Sequence, residues 1–222
     1  MKLSELLQSS LPDLELTGLT LDSRKVKQGY GFIAMAGSAQ HGLNHTAQAI
    51  QNGASVIIYD PAKNGAELAA NIQSILLIAV ENLNQKLGDI AARFYQDPSS
   101  QMTVIGITGT NGKTSCSQFL SQTLDQCGII GTLGWGEWGK LNHTLNTTPD
   151  ALAIQQIFFE LLNLGKHSVA MEVSSHGLEQ RRVNGVRFDG AVFTNISRDH
   201  LDYHGTMAVS YTHLRAHETR ED

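Results

Sequence analysis

The sequence predicts an α/β protein with two units, and three observations support this fold class. Short apolar runs alternate with amphipathic helical segments along most of the chain, as in mostly parallel sheets covered by helices. One apolar run leads into a glycine-rich loop that ends in Lys-Thr and opens a helix. The 222 residues, 41% hydrophobic and 17% charged, are enough for two modest domains. We expect domains over 1–97 and 98–209.

The pattern of the first unit predicts alternating strands and helices, with strands expected over 31–36, 55–59 and 75–80. One helix is predicted over 45–52, with Gly53 as the residue that ends it. Another is predicted over 84–95, where apolar residues recur at helical spacing. It ends before Pro98, because proline disfavours helical backbone in the residue ahead of it.

The second unit repeats the order strand, helix, strand, with elements predicted over 104–107, 115–126, 168–173 and 191–195. Cys116 and Cys127 are both assigned to the helix after the loop, at a spacing unlike metal signatures, and are expected to be reduced packing residues. The final segment, 210–222, shows neither apolar periodicity nor a turn back to the sheet. It is expected to be a non-native tail, with a frayed terminus as the alternative.

Composition argues against two classes of partner. The net charge of −5 gives no basic excess for nucleic acid. The longest apolar run, 75–80, is far too short to cross a bilayer, and the N-terminal residues lack the apolar core of a signal peptide. We therefore expect no nucleic-acid partner, no membrane insertion and a cytoplasmic location.

The segment TVIGITGTNGKTS at 103–115 predicts a triphosphate site. Backbone N–H groups of residues 109–112 are suited to wrap phosphate oxygens, Lys113 to meet phosphate charge, and Thr114 to offer its hydroxyl to Mg²⁺. Ile107 stands where the usual motif has its first glycine, so the loop is a variant. The alternative is a plain strand, turn and helix.

Glu172 ends a predicted strand and suits Mg²⁺, which prefers oxygen ligands. A solvated or capping carboxylate is the alternative for this residue. His176, His200 and His204 raise the possibility of zinc, but their spacing resembles no structural zinc site and no cysteine accompanies them. Roles near a magnesium site are favoured.

Other polar residues leave two interpretations open. Three arginines, Arg181, Arg182 and Arg187, suit phosphate or carboxylate, or an exposed basic loop. The segment NTTPD at 146–150 suits a polar substrate and equally a cap for a helix that begins near Ala151. Asp22 and Ser23 are explained by a structural Asx turn without any ligand.

Five motifs in order resemble the Mur ligase family, more narrowly its MurE-type UDP-N-acetylmuramoyl-tripeptide synthetases. They cover residues 1–209 and are TLDSR at 20–24, GTNGKTS at 109–115, NTTP at 146–149, MEVSSHGLEQRRV at 171–183 and FTNISRDHLDYHG at 193–205. The resemblance implies a cytoplasmic step of peptidoglycan synthesis that uses ATP and Mg²⁺. ATP would phosphorylate the D-glutamate carboxylate of UDP-MurNAc-L-Ala-D-Glu, and meso-diaminopimelate or L-lysine would attack the acyl phosphate.

The resemblance also implies residue roles. Domain 1–97 would bind the UDP substrate and domain 98–209 would bind ATP. Catalytic residues would be Lys113, Glu172 and His200, of which Glu172 and His200 would bind metal together with Thr114. ATP would contact Gly109, Thr110, Asn111, Gly112, Lys113, Thr114 and Ser115. The uridine nucleotide would contact Leu21, Ser23, Ser38, Ala39 and Gln40. The muramoyl-dipeptide would contact Asn146, Thr147, Thr148, Ser174, Gln180 and Arg182.

Departures from the family pattern matter as well. The family carries a carbamylated lysine a little over a dozen residues past the His200 position, where this sequence has Leu214 and where no lysine follows Lys166. The family's third domain is also expected to be missing. We expect a truncated, monomeric ligase fragment that binds UDP-linked substrate or nucleotide without completing the reaction. The alternatives are a non-catalytic UDP-sugar-binding module and a P-loop phosphotransferase of another kind.

Overall fold

The computed structural model describes residues 1–37 and 39–195. Predictions for Ser38, His200, His204, Leu214 and segment 210–222 therefore lie outside the described residues. The chain divides into two compact units, Met1–Phe94 and a second unit that begins at Tyr95. This division falls a few residues before the predicted boundary that follows residue 97.

The first unit is a four-stranded parallel sheet with helices. Its strands, which lie in the order β1-β2-β3-β4, are β1 (Gly18–Thr20), β2 (Tyr30–Ala34), β3 (Ala54–Tyr59) and β4 (Leu77–Ala79). Its helices are α1 (Leu3–Leu7), α2 (Thr46–Gln51), α3 (Gly65–Ala70) and α4 (Leu83–Phe94). Val56, Ile57 and Ile58 of β3 are fully buried in succession, as expected for a central strand of a parallel sheet.

The predicted elements of this unit are confirmed to within a few residues, and three short elements were missed. Strand β1 and helices α1 and α3 have only three, five and six residues, too few for a periodic pattern. Gly53 follows α2 with a φ of 97°, the left-handed conformation expected of a residue that ends a helix. Helix α4 ends at Phe94, before the turn that begins at Pro98.

The second unit has a six-stranded mixed sheet. Its strands are β5 (Thr103–Thr108), β6 (Cys127–Gly131), β7 (Gly134–Glu137), β8 (Lys140–Asn142), β9 (Ser168–Glu172) and β10 (Gly190–Phe193). They lie in the order β10-β5-β9-β6-β7-β8, with the first four parallel and β7 and β8 added antiparallel. Its helices are α5 (Lys113–Thr123), α6 (Ala151–Asn163) and α7 (Ser175–Glu179). The predicted α/β fold class is confirmed.

The assignment of Cys127 to the helix after the loop was wrong. Helix α5 ends at Thr123, and Gln126 adopts a left-handed φ of 47° that turns the chain into β6. Cys127 opens this strand, all five residues of which are buried between β9 and β7. The strand was missed because CGIIG is short and glycine-flanked, so it carries little pattern of its own.

Helices cover both faces of the second sheet. On one face, Ile154, Phe158 and Leu161 of α6 belong to a core cluster with Val104 and Met171 of the sheet. On the other face, residues of α5 pack against a second cluster that includes Ile107 and Ala170. Because β5, β9 and β6 are parallel, the loops that follow them meet at one edge of the sheet, where ligands bind in open α/β sheets. Among the described residues, no helix is both long and apolar enough to cross a membrane.

Candidate active site

The loop after β5 has the geometry of an anion site. Gly109 and Gly112 have φ values of 128° and 86°, which glycine adopts without strain. Helix α5 begins at Lys113, and no side chain of the described residues caps its N-terminus. The first N–H groups of a helix lack intrahelical acceptors, and the helix dipole favours negative charge there. The Lys113 ammonium crosses the loop and donates to the carbonyl oxygens of Gly109 at 2.6 Å and Thr110 at 3.0 Å.

Residues that follow β10 brace this loop. The N–H of Thr110 donates to the Asn195 carbonyl oxygen at 3.0 Å, and the N–H of Asn111 donates to Asn195 Oδ1 at 3.1 Å. The Thr194 hydroxyl donates to the Asn111 carbonyl oxygen at 2.6 Å. A Cβ at Gly109 would lie 2.2 Å from Thr194 Oγ1, so this position has no room for a side chain. Two N–H groups predicted to wrap phosphate are thus used within the protein.

The Glu172 carboxylate at the end of β9 is buried, with 1% of the residue exposed. Its Oε2 accepts hydrogen bonds from the hydroxyls of Thr114 and Thr132, each at 3.0 Å. Its Oε1 accepts from the Thr132 N–H at 3.2 Å and the Ser117 hydroxyl at 3.3 Å. A Cβ at Gly131 would lie 2.1 Å from Oε1. These four donors offset the desolvation of a buried charge, and the solvated alternative for Glu172 is wrong.

The chemistry of these side chains fits Mg²⁺. The Glu172 carboxylate and the Thr114 hydroxyl are hard oxygen donors, and a magnesium site of this class draws its other ligands from water and phosphate. Within residues 1–37 and 39–195, no group of three or more histidine, cysteine, aspartate or glutamate side chains is placed to hold a metal.

A second polar cluster joins the backbone of Glu172 to the predicted acceptor residues. The buried Thr148 hydroxyl lies 3.1 Å from both the Glu172 carbonyl oxygen and Ser174 Oγ, and it accepts from the Ser174 N–H at 2.9 Å. Arg182 donates to the Thr148 carbonyl oxygen at 2.7 Å. The same guanidinium donates twice to Gln180 Oε1, at 3.0 and 2.6 Å. The structure thus connects Thr148 to residues that lie 24 to 34 positions later in the sequence.

The structure confirms the helix-cap interpretation of the NTTPD segment, and the polar-substrate interpretation stays a prediction. Asp150 caps α6 by accepting the Ala153 N–H at 2.9 Å, as the structural interpretation predicts. Thr147 instead faces the carboxylate cluster, with its Oγ1 3.0 Å from Thr132 Oγ1. The Asn146 carbonyl oxygen accepts from the Thr144 hydroxyl at 3.0 Å.

In the first unit, the predicted turn at Asp22 and Ser23 is present. Asp22 Oδ1 accepts from the Arg24 N–H at 3.0 Å and from its guanidinium at 2.9 Å, and these hydrogen bonds lower the pKa of the Asp22 carboxyl. The buried Ser23 hydroxyl donates to Gln48 Oε1 at 2.6 Å. Asn52 donates to the Ser23 carbonyl oxygen at 2.9 Å. Neighbouring residues therefore hold Ser23 in place.

The remaining predicted uridine contacts are more accessible. Leu21 is half-buried, whereas Ala39 and Gln40 are exposed on the turn that follows β2. The Gln40 amide nitrogen lies 2.9 Å from His45 Nε2. This turn is thus available to a ligand on the surface of the first unit.

Comparison with known proteins identifies the family. Residues 107–219, just over half of the chain, match the Mur ligase middle domain. The chain belongs to the Mur ligase family. Residues 15–95 match a second description, "Mur ligase family, catalytic domain". The middle-domain match of this Mur ligase contains the loop after β5 and Glu172 with its hydrogen-bond donors. It extends into segment 210–222, which was predicted to be a tail.

Curated relatives of this Mur ligase are named UDP-N-acetylmuramoyl-L-alanyl-D-glutamate–2,6-diaminopimelate ligase. The protein of Coxiella burnetii is 48% identical over 199 residues, which are 88% of this chain and 40% of the relative. The protein of Pseudomonas aeruginosa is 49% identical over 211 residues, which are 93% of this chain and 43% of the relative. The chain thus spans less than half the length of these relatives.

Solved structures show the same fold. A UDP-N-acetylmuramoyl-L-alanyl-D-glutamate–2,6-diaminopimelate ligase structure matches with a TM-score of 0.79 and 30% identity, covering 96% of this Mur ligase and 44% of that chain. MurF ligase from Thermotoga maritima in complex with ADP matches with a TM-score of 0.59 and 22% identity, covering 91% and 43%. The second likeness concerns the fold alone.

Proposed function

We propose that the chain supplies the nucleotide and acceptor sites of a cytoplasmic, ATP-dependent amide ligase in peptidoglycan precursor synthesis. The observation that carries this proposal is the buried Glu172, which is hydrogen-bonded to Thr114 of the phosphate loop and joined to the acceptor residues through Thr132 and Thr148. The names of the diaminopimelate ligases that resemble the chain along most of its length support the same activity.

The proposed reaction has two steps. An oxygen of the D-glutamate carboxylate of UDP-MurNAc-L-Ala-D-Glu attacks the γ-phosphorus of ATP, forming an acyl phosphate and releasing ADP. The amine of a diamino acid then attacks the acyl carbon, forming the amide and releasing inorganic phosphate. Catalysis of the first step is mainly positioning and neutralisation of phosphate charge.

On the nucleotide side, Lys113 leaves its carbonyl contacts and meets the transferred phosphoryl group. Thr114 and Glu172 would hold Mg²⁺, which would neutralise charge on the phosphate oxygens. The residues that line ATP are those of the loop, 109–115. His200 is assigned to a second metal position on the family resemblance alone.

On the acceptor side, the Arg182 guanidinium is a suitable partner for the carboxylate that is phosphorylated. Its two hydrogen bonds to Gln180 fix the plane of the guanidinium, so remaining N–H groups keep a defined direction. Asn146, Thr147 and Ser174 complete the polar surface for the muramoyl-dipeptide. In the first unit, the uridine nucleotide contacts residues Leu21, Ser23 and 38–40. The protein acts as a monomer on these small-molecule substrates.

Binding measurements on the chain test the proposal. Isothermal titration calorimetry should show Mg²⁺-dependent binding of ATP and separate binding of UDP-MurNAc-L-Ala-D-Glu. Lys113→Ala should abolish the first, whereas Lys140→Ala, at an exposed lysine of β8, should leave it unchanged. Hydroxylamine trapping of an acyl phosphate would report the first chemical step.

Other outcomes distinguish the alternatives. Binding of the UDP-linked dipeptide without any nucleotide binding would replace the ligase proposal with a non-catalytic UDP-sugar module. Phosphate release that requires neither the UDP-linked dipeptide nor a diamino acid would favour a different P-loop phosphotransferase.

A further inference from the structure

Thr132, directly after β6, lies between the nucleotide side and the acceptor side of the site. Its N–H and its hydroxyl donate to the two oxygens of the Glu172 carboxylate, at 3.2 and 3.0 Å. The same hydroxyl oxygen lies 3.0 Å from Thr147 Oγ1. No motif in the sequence pointed to this residue, and the proposed reaction gives it no role.

The direction of these hydrogen bonds follows from the chemistry of the groups. An ionised carboxylate only accepts hydrogen bonds, and a hydroxyl has one hydrogen to donate. Because Thr132 gives its hydrogen to Glu172, Thr147 must donate its own hydrogen to Thr132. The Thr147 oxygen then offers only lone pairs to a ligand, so it is set to accept an N–H or O–H group.

We propose that Thr132 is a positioning residue that couples nucleotide binding to acceptor binding. It holds the Glu172 carboxylate toward Thr114 and, through the same hydroxyl, fixes Thr147 as an acceptor for an amide N–H of the bound dipeptide. A change in the position of Glu172 on binding Mg²⁺ and nucleotide is thereby transmitted to Thr147. This inference rests on the proposed function, since it assigns the two ligands to the two sides of the site.

A purely structural role for the Thr132 hydroxyl is separable from this coupling. Valine has nearly the shape of threonine, and Thr132→Val keeps the backbone N–H that bonds Glu172. The carboxylate would also retain the Thr114 hydroxyl, whereas the Ser117 hydroxyl lies closer to the Thr114 carbonyl oxygen, at 2.9 Å, than to Glu172 Oε1, at 3.3 Å. The substitution therefore removes the hydroxyl link to Thr147 while the Thr132 N–H and the Thr114 hydroxyl still donate to the buried charge.

The test is a coupling measurement by calorimetry on the chain. The dissociation constant of UDP-MurNAc-L-Ala-D-Glu is measured with and without saturating Mg²⁺ and a non-hydrolysable ATP analogue. In the unaltered chain we expect the nucleotide to tighten acceptor binding by on the order of five-fold or more. Thr132→Val should bring this ratio close to one, and Thr132→Ser should restore it.

Further variants separate coupling from loss of structure. Thr147→Val should also bring the ratio of dissociation constants close to one. The double variant with Thr132→Val should give the same ratio as either single variant, because both substitutions break the same link. Thr123→Val is the matched control, since within the described residues its exposed hydroxyl bonds only backbone carbonyl groups of α5. Tryptophan-fluorescence unfolding confirms that each variant is folded.

The measured ratio and the two binding measurements separate failure of the inference from failure of the proposed function. An unchanged ratio in Thr132→Val overturns the inference, and so does a ratio of one in the unaltered chain when both ligands bind, although the proposed function then stands. If the unaltered chain binds neither ligand, the proposed function fails and the inference fails with it.

Discussion

Replacing Thr148 with valine tests how far the polar cluster stabilises the second unit. The side chain is fully buried, and its hydroxyl accepts from the Ser174 N–H and lies 3.1 Å from the Glu172 carbonyl oxygen. Valine has a similar shape but leaves the N–H without this acceptor, which costs about 1–3 kcal/mol, and it removes a further bond worth about 1 kcal/mol. We expect Thr148→Val to lower the free energy of unfolding by about 2–4 kcal/mol.

The assay uses the position of the tryptophans. The two tryptophans of the chain, Trp135 and Trp138, both lie in the second unit, so their fluorescence in urea follows this unit. Thr148→Ser keeps the hydroxyl and loses one methyl group, which should cost about 1 kcal/mol. If Thr148→Val proves no more destabilising than Thr148→Ser at equal urea dependence, the hydrogen bonds do not stabilise the unit and the reasoning fails.

Three further predictions concern single positions. Gly131→Ala would place a Cβ 2.1 Å from Glu172 Oε1, so Mg²⁺-dependent ATP binding should weaken by about ten-fold or more while the circular dichroism spectrum is kept; unchanged binding would contradict this. Asp22, whose pKa is lowered by its hydrogen bonds to Arg24, should stabilise the folded first unit above about pH 4 and lose this effect as the pH falls through the lowered pKa. A carboxyl NMR titration checks this, and an ordinary midpoint would refute it. Burial raises the pKa of the Cys127 thiol, so at pH 8 it should react with iodoacetamide more slowly in the folded chain than in urea, as mass spectrometry of the labelled peptide would show.

The fold was predictable where single elements carry strong local patterns. Strand β3 has three consecutive buried β-branched residues, and α4 buries residues at helical spacing. Strands β7 and β8 have only four and three residues and form a hairpin in which Gly134 and Gly136 adopt φ values above 130°. Such glycines lack a side-chain pattern. Pairing of β7 with β6 and of β8 with β7, rather than local propensity, makes these segments strands.

The candidate site was predictable only in part, for a different reason. Lys113 and Thr114 stand at fixed offsets from two glycines, so their chemistry is visible in sequence. Ser117 and Thr132 are ordinary polar residues whose partner, Glu172, lies 55 and 40 positions away. Only the folded sheet brings such residues together, and the sequence contains no offset that marks them.

The strand order explains why one carboxylate serves both sides of the site. Strand β9 lies between β5 and β6, and all three run parallel, so Glu172 at the end of β9 is flanked by the loops that follow its two neighbours. Thr114 reaches it from the β5 side and Thr132 from the β6 side. A carboxylate at the end of β6 would have a parallel neighbour on one side only, because β7 runs antiparallel to β6. The central position of β9 therefore lets Glu172 bond to both loops, as the proposed coupling of nucleotide and acceptor binding requires.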